Sequence, residues 1–285
     1  MLAGLAAVVV GACGGGAGKR RRIGPAAGRP ITFSYGPDDA QVADLFLPSS
    51  RRAGGPVVVL IHGGYWQPGY DRSLMVPLAR DLVDRGFVAW NVDYRAVGAG
   101  GGWPATFSDV ASGVDLLAEV GRRRHLDVSR VVTVGHSAGG TLALWAAARR
   151  RLPADAPGAE PRIEPCAVVS QAGVNDLVGA ARQGLGGGAA EQVMGGSPTS
   201  VPDHYRLGSP LARLPLGVPQ LLVHGPDDTL VPVSQSRTYA AAAKAAGDQV
   251  DLIEVPGADH FSVIDPGHKA WVMVAERLVE LCIDR

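Results

Sequence analysis

The sequence predicts an α/β fold with a mostly parallel central sheet covered by helices on both faces. Three observations carry this. Short runs of consecutive apolar, largely β-branched residues recur along the chain, as strands buried on both faces require. Helix-like segments separate several of these runs, which makes the connections crossovers rather than hairpins. The chain has 285 residues, 46% hydrophobic and 19% charged, enough to build one large core as a single domain with an insertion.

The elements follow in order. Residues 1–18, MLAGLAAVVVGACGGGAG, form an apolar run shorter than the roughly 20 residues of a spanning helix but of the length of a signal-peptide core. Val10-Gly11-Ala12-Cys13 before a run of glycines resembles a bacterial lipoprotein cleavage box. Cys13 would then carry a lipid, the one membrane contact expected, and the location would be the cell envelope or the exterior rather than the cytoplasm. No Lys or Arg precedes the run, which counts against this reading. Residues 19–29 read as a polar linker, and residues 30–285 as the folded domain.

Residues 31–35 and 41–47 half-alternate around Gly36-Pro37-Asp38-Asp39 and predict an antiparallel hairpin. Residues 56–61 (PVVVLI) predict the first central strand, and similar runs at 87–92, 130–134, 167–170, 220–223 and 250–255 predict its neighbours. Between about residues 175 and 218 the alternation lapses into a Gly- and Pro-rich stretch, the expected place of a cap, where Tyr205, Leu207, Leu211 and Leu214 could pack.

Lys plus Arg and Asp plus Glu balance at 27 each, so no net field draws the protein to nucleic acid or an anionic surface. The clusters at residues 122–124 and 149–151 read as solvated cations at helix ends. Cys13, Cys166 and Cys282 are spaced for neither a zinc site nor a disulfide framework, and redox chemistry is not expected.

In such a fold, ligands bind beyond the carboxyl ends of the strands, and the motifs fall there. Gly135-His136-Ser137-Ala138-Gly139 follows one strand and precedes a helix-like segment from Thr141, the sharp turn that exposes a nucleophilic serine at a helix N-terminus. Such a serine needs a base and an orienting acid, in the order Ser, acid, His. His224-Gly225-Pro226-Asp227-Asp228 follows the strand at 220–223, with Asp228 preferred over Asp227 because the loop turns back there. Asp259-His260-Phe261 follows the last strand, and His260 is preferred over His268, which sits at a helix start. His62, His136 and His224 read as supports for their own loops. His62-Gly63-Gly64-Tyr65-Trp66 follows the first central strand and offers backbone amides for an oxyanion. Ala138 would supply one donor and Gly63, Gly64 or Tyr65 the rest.

From about residue 30 to 283 the chain resembles α/β-hydrolases of the esterase and lipase type. HGGYWQ at residues 62–67, together with GHSAG, is especially similar to kynurenine formamidase-like and related small-molecule esterases. Tyr65 and His136 depart from the HGGG and GDSAGG of hormone-sensitive-lipase relatives. The resemblance implies Ser137, Asp228 and His260 as catalytic triad and the His62–Trp66 segment as oxyanion loop. Val92-Asp93-Tyr94-Arg95 resembles a loop that buttresses the site.

The expected reaction is hydrolysis of a small carboxylic ester or activated amide through an acyl-enzyme, with water as second substrate and no metal or organic cofactor. An arylformamidase would use the same residues. An acyltransferase would differ only in its acceptor, and a non-catalytic binding module would retain the fold alone. At least one of the Tyr65 and Trp66 rings is expected to border the acyl pocket and shorten it, with Trp66 assigned to substrate binding.

Overall fold

The computed structural model describes residues 29–51 and 55–282. The expectations for a leader, for Cys13 and for nearly all of the linker lie outside them. Eight strands form one sheet: β1 (Ile31–Ser34), β2 (Val42–Phe46), β3 (Val57–Ile61), β4 (Val88–Val92), β5 (Val131–His136), β6 (Ala167–Gln171), β7 (Gln220–His224) and β8 (Val250–Glu254). Their order is β1-β2-β4-β3-β5-β6-β7-β8, antiparallel for the β1–β2 and β2–β4 pairs and parallel for the rest. This is the α/β-hydrolase arrangement.

Alternation explains why β3 sits at the centre. Val57, Val59 and Ile61 enter one core and Val58 and Leu60 the other, all five side chains being buried. On the first face lie α2 (Ala105–Arg124), α3 (Ala138–Ala148) and α7 (Ser234–Ala245); on the second lie α1 (Val76–Asp84) and α8 (Lys269–Arg277). Helix α1 buries Leu78, Ala79, Leu82 and Val83, a spacing that puts one helical stripe against the sheet, and Pro77 in its first turn forgoes an amide bond the helix does not need there. The chain leaves β3 toward β4 on one side and reaches β5 on the other. The order therefore reverses between β3 and β5, the point at which such sheets form a ligand crevice beyond the strands' carboxyl ends.

Three helices, α4 (Leu177–Arg182), α5 (Leu185–Met194) and α6 (Pro202–Gly208), fill the insertion between β6 and β7. Tyr205 is buried, Trp145 Nε1 donates to Leu207 O at 3.1 Å and Trp103 N to Val193 O at 2.6 Å, so the insertion packs onto the main body. No helix among the described residues is long and apolar enough to cross a membrane.

Two expectations are corrected. Arg149 is not a solvated cation: it is 2% exposed, its guanidinium paired with Asp115 at 2.6 Å and bonded to Gly158 O. Cys166 and Cys282, expected to be unpaired, form a disulfide across a sequence separation of 116. Linear spacing hides such a pair, because the fold alone brings the last turn of the chain beside the start of β6. By the chain-entropy argument a bridge closing so long a loop contributes about 2–5 kcal/mol. The Cys166→Ala/Cys282→Ala variant should therefore melt about 10 °C lower in a calorimetric scan, given roughly 2–4 °C per kcal/mol for a chain of this size. An unchanged Tm would remove the bridge from the account of stability.

Candidate active site

Four loops, at the carboxyl ends of β3, β5, β7 and β8, meet at the crevice. Ser137 lies between β5 and α3 with φ 54° and ψ −121°, a backbone conformation that side-chain-bearing residues rarely adopt. It is held there from both sides: Ser137 N donates to Gln171 O at 2.8 Å and Gly140 N to Ser137 O at 2.8 Å. A Cβ on Gly139 would run into the carbonyls of Ile61 and His62, so glycine lets the helix start close against the β3 loop. Helix α3 begins at Ala138, three residues earlier than the sequence indicates, which leaves the Ala138 amide at a helix N-terminus.

The carboxylate of Asp228 is fixed by four groups. Its Oδ1 accepts from Leu230 N at 2.8 Å and Val231 N at 2.9 Å; its Oδ2 faces His260 Nδ1 at 2.7 Å and His224 Nε2 at 3.3 Å. Burial pushes its pKa up, but the hydrogen bonds from His224, His260 and Val231 outweigh it and hold the carboxyl well below the usual range. Asp228 therefore stays ionised and acceptor-only, and His260 Nδ1 must carry the proton of that bond, leaving Nε2 as the basic nitrogen of the neutral ring. Asp227 points elsewhere and accepts from Gly257 N at 3.1 Å. His268 caps α8, its Nδ1 accepting from Ala270 N at 3.2 Å.

His136 joins the serine turn to the His260 loop. Its Nε2 lies 2.9 Å from His260 O, which can only accept, so the ring carries its proton on Nε2. The His136 and His260 rings stand 4.7 Å apart. Burial pushes the His136 pKa down to about 3, and its Nδ1 is buried without a partner. His224 fixes the acid loop instead, its Nδ1 2.8 Å from Ser236 Oγ and its Nε2 2.9 Å from Val231 O.

The loop after β3 is pressed against the serine. A Cβ on Gly63 would lie 2.8 Å from His136 Nδ1 and 3.0 Å from Ser137 Cβ, which only glycine avoids. Gly64, Tyr65 and Trp66 follow with φ of 114°, 52° and 57°. His62 stacks on Tyr94 at 4.1 Å, receives the Tyr94 hydroxyl bond on its carbonyl at 2.8 Å, and meets Asp93 Oδ1 at 3.1 Å. Asp93 Oδ2 in turn accepts from Arg72, whose Nε reaches Asp44 on β2 at 2.8 Å. The buttress read from residues 92–95 thus extends to Arg72 and Asp44, which no local motif marks.

The two aromatic residues part ways. Trp66, expected at the acyl pocket, is 1% exposed inside the first core, its Nε1 buried without a partner. Tyr65 remains half-buried over the crevice: its hydroxyl donates to Leu230 O at 2.7 Å, and its ring fills the space a Cβ on Gly186 would need. Gln67 Nε2 adds a 2.8 Å bond to Gln192 of α5. The β3 loop, the acid loop and the insertion are therefore tied together, and Ser137 is itself 1% exposed.

Known proteins share this frame. The chain is 29% identical to esterase LipQ of Mycobacterium tuberculosis over 79% of its own length and 55% of that protein's, so it spans little more than half of that relative. It is 28% identical to the kynurenine formamidase of Danio rerio, covering 81% of the chain and 74% of the relative. A crystal structure of esterase B from Lactobacillus rhamnosis superimposes with a TM-score of 0.77 at 19% identity, over 92% of this chain and 88% of that one. The family model BD-FAE matches residues 43–242, from β2 into α7, taking in the β3 loop, the Ser137 turn and Asp228, and the chain belongs to that family.

Proposed function

We propose that the protein is a serine hydrolase that cleaves small carboxylic esters or activated amides through an acyl-enzyme. The observation that carries this is the 2.7 Å His260–Asp228 pair docked through His136 onto the strained turn of Ser137. Ser137 Oγ attacks the carbonyl carbon while His260 Nε2 takes its proton, and the carbonyl electron pair moves onto oxygen. The amide of Ala138 and those of Gly63, Gly64 or Tyr65 receive that oxyanion. Collapse expels the leaving group, which takes the proton from His260. Water, deprotonated by the same histidine, then releases the acid and restores Ser137. The insertion at residues 175–218 acts as the cap of this site. A lipid anchor at Cys13 would place the enzyme at the cell envelope.

Tyr65 rather than Trp66 sets the acyl limit, because its ring spans the crevice from the β3 loop to Leu230 and Gly186. Formyl, acetyl and butyryl esters should be cleaved at least about tenfold faster than acyl chains of ten or more carbons, because a longer chain would have to displace the Tyr65 ring to enter. A rate series over acyl length, run below the micelle threshold, tests this; a maximum at long chains would move the protein toward the lipases. The kynurenine formamidase relatives favour one second reading, an arylformamidase using the same residues. Hydrolysis of N-formylkynurenine far faster than of p-nitrophenyl acetate would select it.

A further inference from the structure

We propose that Phe261 and Leu230 form a leaving-group subsite that selects esters of apolar, ring-bearing alcohols over esters of sugars and other polyols. The inference rests on the hydrolase reading and names its substrate class. It starts from the exposure of large apolar side chains, which among the described residues is confined to Tyr70, Leu230, Phe261 and Met273. Three of these four stand on the loops that build the crevice: Tyr70 covers Gly64, Leu230 is two residues past Asp228, and Phe261 adjoins His260. Single exposed apolar residues are ordinary, but a cluster around one crevice is not.

The backbones beneath these side chains are fixed by the site itself. Leu230 donates its N–H to Asp228 Oδ1 at 2.8 Å and receives the Tyr65 hydroxyl on its carbonyl at 2.7 Å, so its side chain is held outward at 43% exposure. Phe261 sits in a turn closed by Asp259, whose Oδ1 accepts from Phe261 N at 3.0 Å, Ser262 N at 2.8 Å and Ser262 Oγ at 2.6 Å. Its ring stands edge-on to His260 at 5.3 Å and remains 48% exposed. Both side chains thus stand on backbone that is already ordered, which lowers the ordering cost of an apolar contact there.

Mechanism decides which part of the substrate meets them. The departing oxygen must take its proton from His260 Nε2, so the leaving group lies on the histidine side of the crevice, and Phe261 and Leu230 flank the His260–Asp228 pair. A polyol there would need polar partners. The Phe261 and Leu230 side chains offer none, and of the nearby carboxylates Asp259 already commits Oδ1 to its own turn and Asp227 commits Oδ2 to Gly257 N at 3.1 Å.

The test compares benzyl acetate, methyl acetate and acetylated xylose, with active enzyme counted by fluorophosphonate titration. Benzyl and methyl alkoxides are leaving groups of similar basicity, so the kcat/KM ratio between their esters reports binding of the ring. That ratio should be at least about tenfold in the full chain, with acetylated xylose the poorest substrate, and the Leu230→Ser/Phe261→Ser variant should lose about tenfold of it. Phe261→Leu should keep most of it. Equal rates on the two alkyl esters, preference for the sugar ester, or an unchanged ratio in the double variant would each overturn the subsite alone. Absence of fluorophosphonate labelling in the unaltered protein would overturn the hydrolase reading itself.

Discussion

Alanine at position 137 should abolish labelling by a fluorophosphonate probe and lower turnover by roughly 10⁴–10⁶, the loss seen when a member of such a triad is removed. On the proposed mechanism the roles are interdependent: without Oγ, the His260 base and the oxyanion amides would have no nucleophile to serve. Substrate binding should largely survive. The substitution deletes one oxygen from a side chain that is 1% exposed, and the bonds fixing the turn, Ser137 N to Gln171 O and Gly140 N to Ser137 O, are made by backbone. Fluorophosphonate labelling should be scored on folded protein, verified by a thermal scan. Undiminished labelling would show that a different residue attacks.

Replacing His260 by glutamine should be nearly as damaging, by roughly 10⁴ or more in kcat/KM, because an amide cannot accept the Ser137 proton. Two neighbours keep fixed charge states around that ring. Asp228, held far below the ordinary carboxylate range, stays ionised throughout, and His136, pushed down to about 3, stays neutral. His268→Gln supplies the contrast and should change little, since that ring only caps α8. Equal damage from the two substitutions would leave neither histidine distinguished, and greater damage at His268 would reverse the assignment.

All eight strands stand where the apolar and half-alternating runs place them: β3 to β7 are buried along their whole length and read as short, mostly apolar runs, whereas β1 alternates between faces. The loops carrying Ser137, Asp228 and His260 were legible for a related reason: they must follow strand ends, and strand ends were readable. What escaped depends on distance in three dimensions. Arg72 gives no local sign that it will bridge Asp44 and Asp93. Cys166 and Cys282 meet only once the chain has closed. Arg149 looks like its neighbours Arg150 and Arg151 until Asp115 is brought beside it. Trp66 and Tyr65 are adjacent in sequence and alike in chemistry, yet opposed side-chain directions send one into the core and leave the other over the crevice. A glycine-rich insertion, read as irregular, contains helix because Ala189, Ala190, Val193 and Met194 form a stripe that buries against the main body.

The left-handed turn at Ser137 sets function against durability. A residue with a side chain at φ 54° costs on the order of 1–3 kcal/mol, which the packing and hydrogen bonds of the surrounding sheet offset in the folded state. Glycine would relax the backbone but, on the proposed mechanism, remove the nucleophile. The turn therefore marks one position where selection for persistence and selection for activity pull in opposite directions, and where thermostabilised descendants of this sequence cannot seek their gains.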